Sequence, residues 1–154
     1  MDRACGRLAP LRPGWRHAAR HGFRSDVAVA AELADLFGLR VVSVQLADSR
    51  FYHLDTALCV LDADTAACYP AAFDDAGRAA LAGLFAEFIE AKDTDAEVLG
   101  LNVVSDGRHV VPPAQAAGLA AQVAARGFEP VPAGMSEFRK AGGGPKCRTL
   151  ELRS

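Results

Sequence analysis

One order of elements runs twice through this chain: a strand and its hairpin partner, a helix, then a strand again. The residues 52–61 read as a buried strand, Asp62-Ala63-Asp64 as its turn and Thr65 to Tyr69 as the return, which Pro70 ends. Asp74 and Asp75 then start a helix expected to run to about Glu90, with Leu81, Leu84, Phe85 and Phe88 along one side. The second pass has an apolar strand from Val98 to Val104, a tight turn at Ser105-Asp106-Gly107 and a return from Arg108 to Val111. Pro112-Pro113 leads into an alanine-rich helix ending near Arg126-Gly127, and Phe128 to Val131 is the strand after it. Hairpins joined by helices to further strands require mixed sheets, so the expected class is modular α/β and not one doubly wound parallel sheet.

The rump of a third unit precedes these two. Asp26 is a plausible N-cap for a helix over Val27 to Phe37, Gly38 supplies its C-cap, and Val41 to Leu46 is a strand. Residues 1–20 differ in kind. Arg3, Arg7, Arg12, Arg16 and Arg20 recur among Pro10, Pro13 and Gly14 with no sustained apolar face, so they are expected to form a flexible arm before a single domain over residues 21–154.

Composition narrows the function classes. Against 17 Lys and Arg stand 19 Asp and Glu, a net charge of −2 that gives no basic field for nucleic acid or an anionic membrane. Arg, Asp or Gly interrupts every apolar run before it is long enough to cross a bilayer. Cys5, Cys59, Cys68 and Cys147 lack CxxC spacing, which fits reduced thiols in a cytoplasm.

Two stretches carry side chains that a core does not need. In Phe51-Tyr52-His53-Leu54-Asp55-Thr56 an imidazole and a carboxylate stand two positions apart, and the period of a strand would put them on one face. A His near neutral pH passes protons, and a neighbouring carboxylate holds a cation or sets the ring's tautomer. In Gly142-Gly143-Gly144-Pro145-Lys146-Cys147, a glycine loop delivers a cysteine to the start of an expected short strand. Three glycines permit close approach of the backbone and can aim several N–H groups at one place, and Lys146 would favour the thiolate form of Cys147. The alternative is a linker and a cysteine that simply packs.

Arg24, at a strand end before a helix, offers a fork for a carboxylate, though a surface arginine is the commoner case. Cys59 and Cys68, on adjacent hairpin strands, read as small core residues. A zinc set of His53, Asp55, Cys59 and Cys147 has suitable donors without metal-ligand spacing, so no metal or other cofactor is expected. His109 reads as structural or exposed.

The segments 51–56, Leu101-Asn102-Val103-Val104-Ser105 and 142–152, in that order, resemble the C-terminal part of the guanidine-modifying enzymes. That superfamily includes dimethylarginine dimethylaminohydrolases, arginine deiminases and amidinotransferases. The resemblance covers about residues 21 to 153 and implies the pentein fold, a propeller of five ββαβ modules around a polar centre, with about three of the five present here. It implies hydrolysis of C–N bonds in arginine-like guanidines, with Cys147 as nucleophile through a thiouronium intermediate and His53 as general acid and base. Arg24, in Gly22-Phe23-Arg24-Ser25, matches the arginine that holds the substrate α-carboxylate, and Asp55 the carboxylate that contacts the guanidinium in arginine deiminases and amidinotransferases. Dimethylarginine hydrolases tend to carry lysine at that last place, so the resemblance keeps deiminase, dihydrolase and amidinotransferase chemistry open. The family's N-terminal modules supply further acidic residues that have no match here, which leaves three explanations: a fragment or mis-started form of a full enzyme, assembly as a homo-oligomer or with a completing chain, or a catalytically silent assembly module.

Overall fold

The computed structural model describes residues 16–21, 26, 28–38 and 40–150. Strand β1 (Arg16–His21) pairs in parallel with β2 (Arg40–Gln45), in register from Arg16 with Arg40 to His21 with Gln45. Helix α1 (Ala28–Phe37) connects them. Its start is fixed where expected, by Asp26 accepting the Ala28 N–H at 2.9 Å, and Gly38 at φ +61° ends it. The flexible arm expected through residue 20 is therefore corrected, because Arg16 to Arg20 form a main-chain ladder with β2 that needs no apolar alternation. The rest of that arm, residues 1–15, lies outside the described residues.

The second sheet is β3 (Leu58–Val60), β4 (Thr65–Cys68) and β5 (Glu87–Glu90), the first pair antiparallel and the second parallel. Asp62 closes the hairpin by accepting the N–H groups of Asp64 at 2.8 Å and Thr65 at 2.7 Å. Helix α2 (Asp75–Ala82) is capped by Asp74, whose carboxylate accepts the Gly77 N–H at 2.7 Å. The helix does not continue to Glu90. It ends before Gly83, and Glu87 to Glu90 extend beside β4, with Ile89 fully buried. The spacing of Leu84, Phe85 and Phe88 suits a helix, but burial of Ile89 in a parallel ladder wins.

The third sheet repeats that pattern. Strands β6 (Val104–Ser105) and β7 (His109–Val111) are antiparallel, and β8 (Glu129–Pro130) returns parallel to β7 after helix α4 (Ala117–Ala124). The expected strand over Val98 to Val104 is mostly absent: helix α3 (Asp93–Ala96) is followed by tight turns in which Leu99 has φ 59°. Leu101 and Val103 are buried there, so the apolar run reports burial and not extension. Ala116, at the start of α4, has no side chain able to cap it, and buried Asp95 on α3 does so by accepting the Gly118 N–H at 3.1 Å. A Cβ on Gly118 would lie 2.5 Å from Asp95 Oδ2, so the cap needs glycine at that position.

Two sheets with the same antiparallel-then-parallel order bear out the repeated unit and the mixed α/β class. The core joins them: Val44 from β2 and Leu46 just after it pack with Phe51, Phe73, Ile89, Leu101, Val110 and Leu119 in one cluster. Each such side chain, buried in full, contributes about 1.5–3 kcal/mol. Among the described residues, no helix is long and apolar enough to cross a membrane.

Candidate active site

The strand expected over residues 52–61 is broken where the interesting residues lie. His53 is extended at φ −133° and ψ 149°, Leu54–Thr56 make one turn of 3-10 helix, and only Leu58–Val60 enter the sheet. Thr56 is the cause. Its N–H and its hydroxyl both donate to the His53 carbonyl, at 3.1 and 2.6 Å, which closes a local turn in competition with the ladder. His53 and Asp55 thus share one turn and not one strand face. The His53 ring meets Tyr52 edge to face at 5.0 Å.

Cys147 arrives from the other end of the chain, also on a 3-10 turn, Lys146–Arg148, where a strand start was expected. The short helix α5 (Ser136–Arg139) leads into the glycine loop, and Gly142 turns it at φ +75°. The loop's N–H groups do not converge on an open space, as the run of glycines suggested. Gly142 and Gly143 donate to the carbonyls of Arg139 and Phe138, Lys146 to the carbonyl of Asn102, and Gly144 and Cys147 to Oδ1 of Asn102. The glycines serve close packing instead. A Cβ on Gly144 would lie 2.7 Å from Asn102 Oδ1, and one on Gly142 would collide with the Tyr52 hydroxyl.

The two turns meet. Cys147 is exposed, and its Sγ lies 4.0 Å from Oδ2 of Asp55. The other carboxylate oxygen, Oδ1, is buried with no hydrogen-bond partner among the described residues. Burial pushes the Asp55 carboxyl up, opposed by the nearby His53 imidazole, a hydrogen bond from Asn102 and the Lys146 ammonium. A carboxylate sheltered in this way, with one oxygen unsatisfied and the other facing a thiol, has the charge and the free acceptor that a cation beside the thiol would need.

The remaining candidates sort cleanly. Arg24 lies outside the described residues. Cys59 and Cys68 are buried on β3 and β4, where burial pushes their thiols up to about 12 and about 11. Cys59 is therefore spent in the core, and among the described residues no three His, Cys, Asp or Glu side chains are grouped to hold a metal. His109 clamps its own hairpin turn, with Nδ1 2.9 Å from Asp106 Oδ2 and Nε2 3.3 Å from Glu129. That pairing holds the Asp106 carboxyl well below the usual range. Asn102 and Tyr52 stood inside the quoted motifs without a role. The signal for Asn102 was one amide between the apolar Leu101 and Val103, in a run otherwise fit for burial.

Set beside known proteins, this fold and these motifs define a homologue of the guanidine-modifying, or pentein, enzymes. No protein-family model matches the chain. It is 53% identical over 142 residues to the N(G),N(G)-dimethylarginine dimethylaminohydrolase of Mycobacterium tuberculosis, an alignment that covers 92% of this chain and 47% of that protein. It is 33% identical over 136 residues to the bifunctional arginine dihydrolase/ornithine cyclodeaminase AgrE of Nostoc sp., covering 87% of this chain and 19% of that one. Among solved structures, the N-terminal domain of ArgZ, covalently bonded to a reaction intermediate, superposes with a TM-score of 0.80 at 32% identity. That match covers 84% of this chain and 48% of the other. The chain thus spans about half the length of the dimethylarginine hydrolase it matches.

Proposed function

We propose that this chain carries the nucleophile half of a cytoplasmic, cofactor-free hydrolase that cleaves a C–N bond in arginine-like guanidines, of the dimethylarginine dimethylaminohydrolase type. The observation that carries the reading is the 4.0 Å approach of Cys147 Sγ to Asp55 Oδ2. A guanidinium N–H bonded to that carboxylate at about 2.8 Å, with a C–N bond of about 1.33 Å, puts the guanidinium carbon about 3.7 Å from the carboxylate oxygen. A thiol 4.0 Å from the same oxygen can then lie at the roughly 3–3.5 Å from that carbon needed for attack, provided sulfur and carbon stand on the same side of the oxygen.

In this reading the Cys147 thiolate adds to the guanidinium carbon, and His53 in its protonated form gives a proton to the departing amine as the C–N bond breaks. The covalent thiouronium that remains is attacked by water, whose proton passes to His53. The C–S bond then breaks as the new hydroxyl gives up its proton to solvent, where the released amine takes it up, returning the thiolate and a ureido product. Asp55 holds the cation in both steps, and Arg24 takes the substrate α-carboxylate as a bidentate fork.

In this reading the three sheets make up about three of five modules, and the rest of the central site comes from outside the described residues. Arginine itself, in a dihydrolase or deiminase, is the second reading, favoured by the carboxylate at residue 55 and by the relatives with arginine dihydrolase in their names.

Incubating the protein with dimethylarginine or with arginine and measuring citrulline tests the assignment, with Cys147→Ser as control. Citrulline from the parent alone supports it. Equal signal from both proteins removes it, and no signal from either, with Cys147 no more readily alkylated than a free thiol, leaves a silent assembly module. An added amine acceptor separates hydrolysis from amidino transfer.

A further inference from the structure

We infer that Asn102 is a positioning residue, whose side-chain amide sets the separation of the Cys147 thiol from the Asp55 carboxylate. The inference rests on the guanidine reading of that pair. An asparagine side chain offers two lone pairs on oxygen and two N–H donors. Here Oδ1 accepts from Gly144 N at 3.1 Å and from Cys147 N at 3.3 Å, while Nδ2 donates to the Asp55 carbonyl at 3.2 Å. The Asn102 main-chain carbonyl adds a bond from Lys146 N at 3.3 Å. One fully buried residue therefore grips the main chain of both reacting residues, which are 92 positions apart in sequence.

The chemistry demands an amide. Aspartate would retain the acceptor but lose the donor and add a buried charge, leucine would keep the volume and neither bond, and glutamine is one methylene too long for this site. The glycine loop is built to reach it, since a Cβ on Gly144 would lie 2.7 Å from Oδ1 and 2.9 Å from the Asn102 Cβ. A displacement of about 1 Å at a reacting centre costs roughly 100-fold in rate, so a bond at each reacting residue's own backbone is the place to set that distance.

Two small alkylating agents read the separation directly. Chloroacetamidine is cationic and planar, and chloroacetamide is its neutral counterpart. With either, the Cys147 thiolate forms an S–C bond as chloride leaves with the C–Cl electron pair. The ratio of the two rates at Cys147, followed on its own peptide by mass spectrometry after labelling of the whole chain, reports whether a cation held by Asp55 lies over the sulfur. A general loss of stability does not move that ratio.

The parent is expected to favour the amidine at least about tenfold more than Asp55→Asn does. Asn102→Ala, melting cooperatively, is expected to fall to within about threefold of Asp55→Asn. A folded Asn102→Ala that keeps the parent's preference overturns the role of Asn102 and leaves the guanidine reading standing. A parent with no more preference than Asp55→Asn overturns that reading, and the inference with it. Should Asn102→Ala fail to fold, amide exchange in the parent decides: slow exchange at both Gly144 and Cys147 supports the inference, and free-loop rates at either one overturn it.

Discussion

Tyr52 donates its hydroxyl hydrogen to the carbonyl of Gly142 at 2.7 Å, joining the segment that bears His53 and Asp55 to the loop that delivers Cys147. The pair lies 90 residues apart in sequence, and the Gly142 backbone can come so close to the ring only because it has no side chain. Tyr52→Phe removes this one hydrogen bond and keeps the ring against His53. It is expected to cost about 1 kcal/mol of stability, measured by urea unfolding, and to speed amide exchange in residues 142–147. Exchange unchanged in that loop would mean that the bond does not hold it.

Asp55→Asn should separate activity from stability. Because burial raises the folded carboxyl above its ordinary 3.8, the folded state binds the proton more tightly than the unfolded chain does. The stability linked to that proton is complete below about 3.8 and is lost as pH rises through the folded value, so the ionised group opposes folding at neutral pH. Asn102, His53 and Lys146 offset only part of this. At pH 7 the variant is expected to be more stable by roughly 1–3 kcal/mol, with the gain vanishing near pH 3, while kcat/KM falls roughly 100-fold. Thermal melts across that pH range check the sign.

Two glycine substitutions should part company. Gly144→Ala forces a methyl against Asn102 and is expected to destabilise by about 1–3 kcal/mol, with loss of thiol reactivity at Cys147. Gly134→Ala meets nothing within 4 Å and is expected to be neutral or to stabilise by up to about 1 kcal/mol. Paired denaturant titrations would expose an error, because equal effects would mean that the loop does not pack on the amide.

Thiol labelling of the native protein should be selective. With their thiols pushed to about 12 and about 11 from an ordinary 9.0, Cys59 and Cys68 hold roughly 100- to 1000-fold less thiolate than a free thiol, and both are buried. Iodoacetamide with peptide mapping is expected to mark exposed Cys147 and to reach Cys59 and Cys68 only after unfolding. Labelling of Cys59 in the folded state would contradict the core assigned to the β3–β4 hairpin.

The residues that end or turn the chain were legible because their effects are local. Asp26, Asp62, Asp74 and Gly38 cap or turn the backbone within three residues of themselves, and each does so where its type suggested. Apolar runs were less faithful. Leu84 to Glu90 and Val98 to Val104 are consistent with more than one conformation, because burial rewards an apolar side chain whether its backbone is helical, extended or in a turn. The choice fell to neighbours absent from those segments: β4 for Ile89, and the loop of Gly144 and Cys147, bonded to Asn102, for the turns that bury Leu101 and Val103.

By itself the sequence determined the repeated unit and the mixed α/β class, and it singled out His53, Asp55 and Cys147 as the groups to follow, because turn chemistry and side-chain type are written residue by residue. Only the tertiary structure decided that His53 and Asp55 share a turn, that the glycine loop spends its N–H groups on its own framework, and that the Cys147 thiol faces the Asp55 carboxylate at 4.0 Å. The turn at His53 is closed locally by Thr56, but the meeting of the two turns depends on contacts across 42 to 92 residues of chain, made through a buried amide whose partners no local pattern can name.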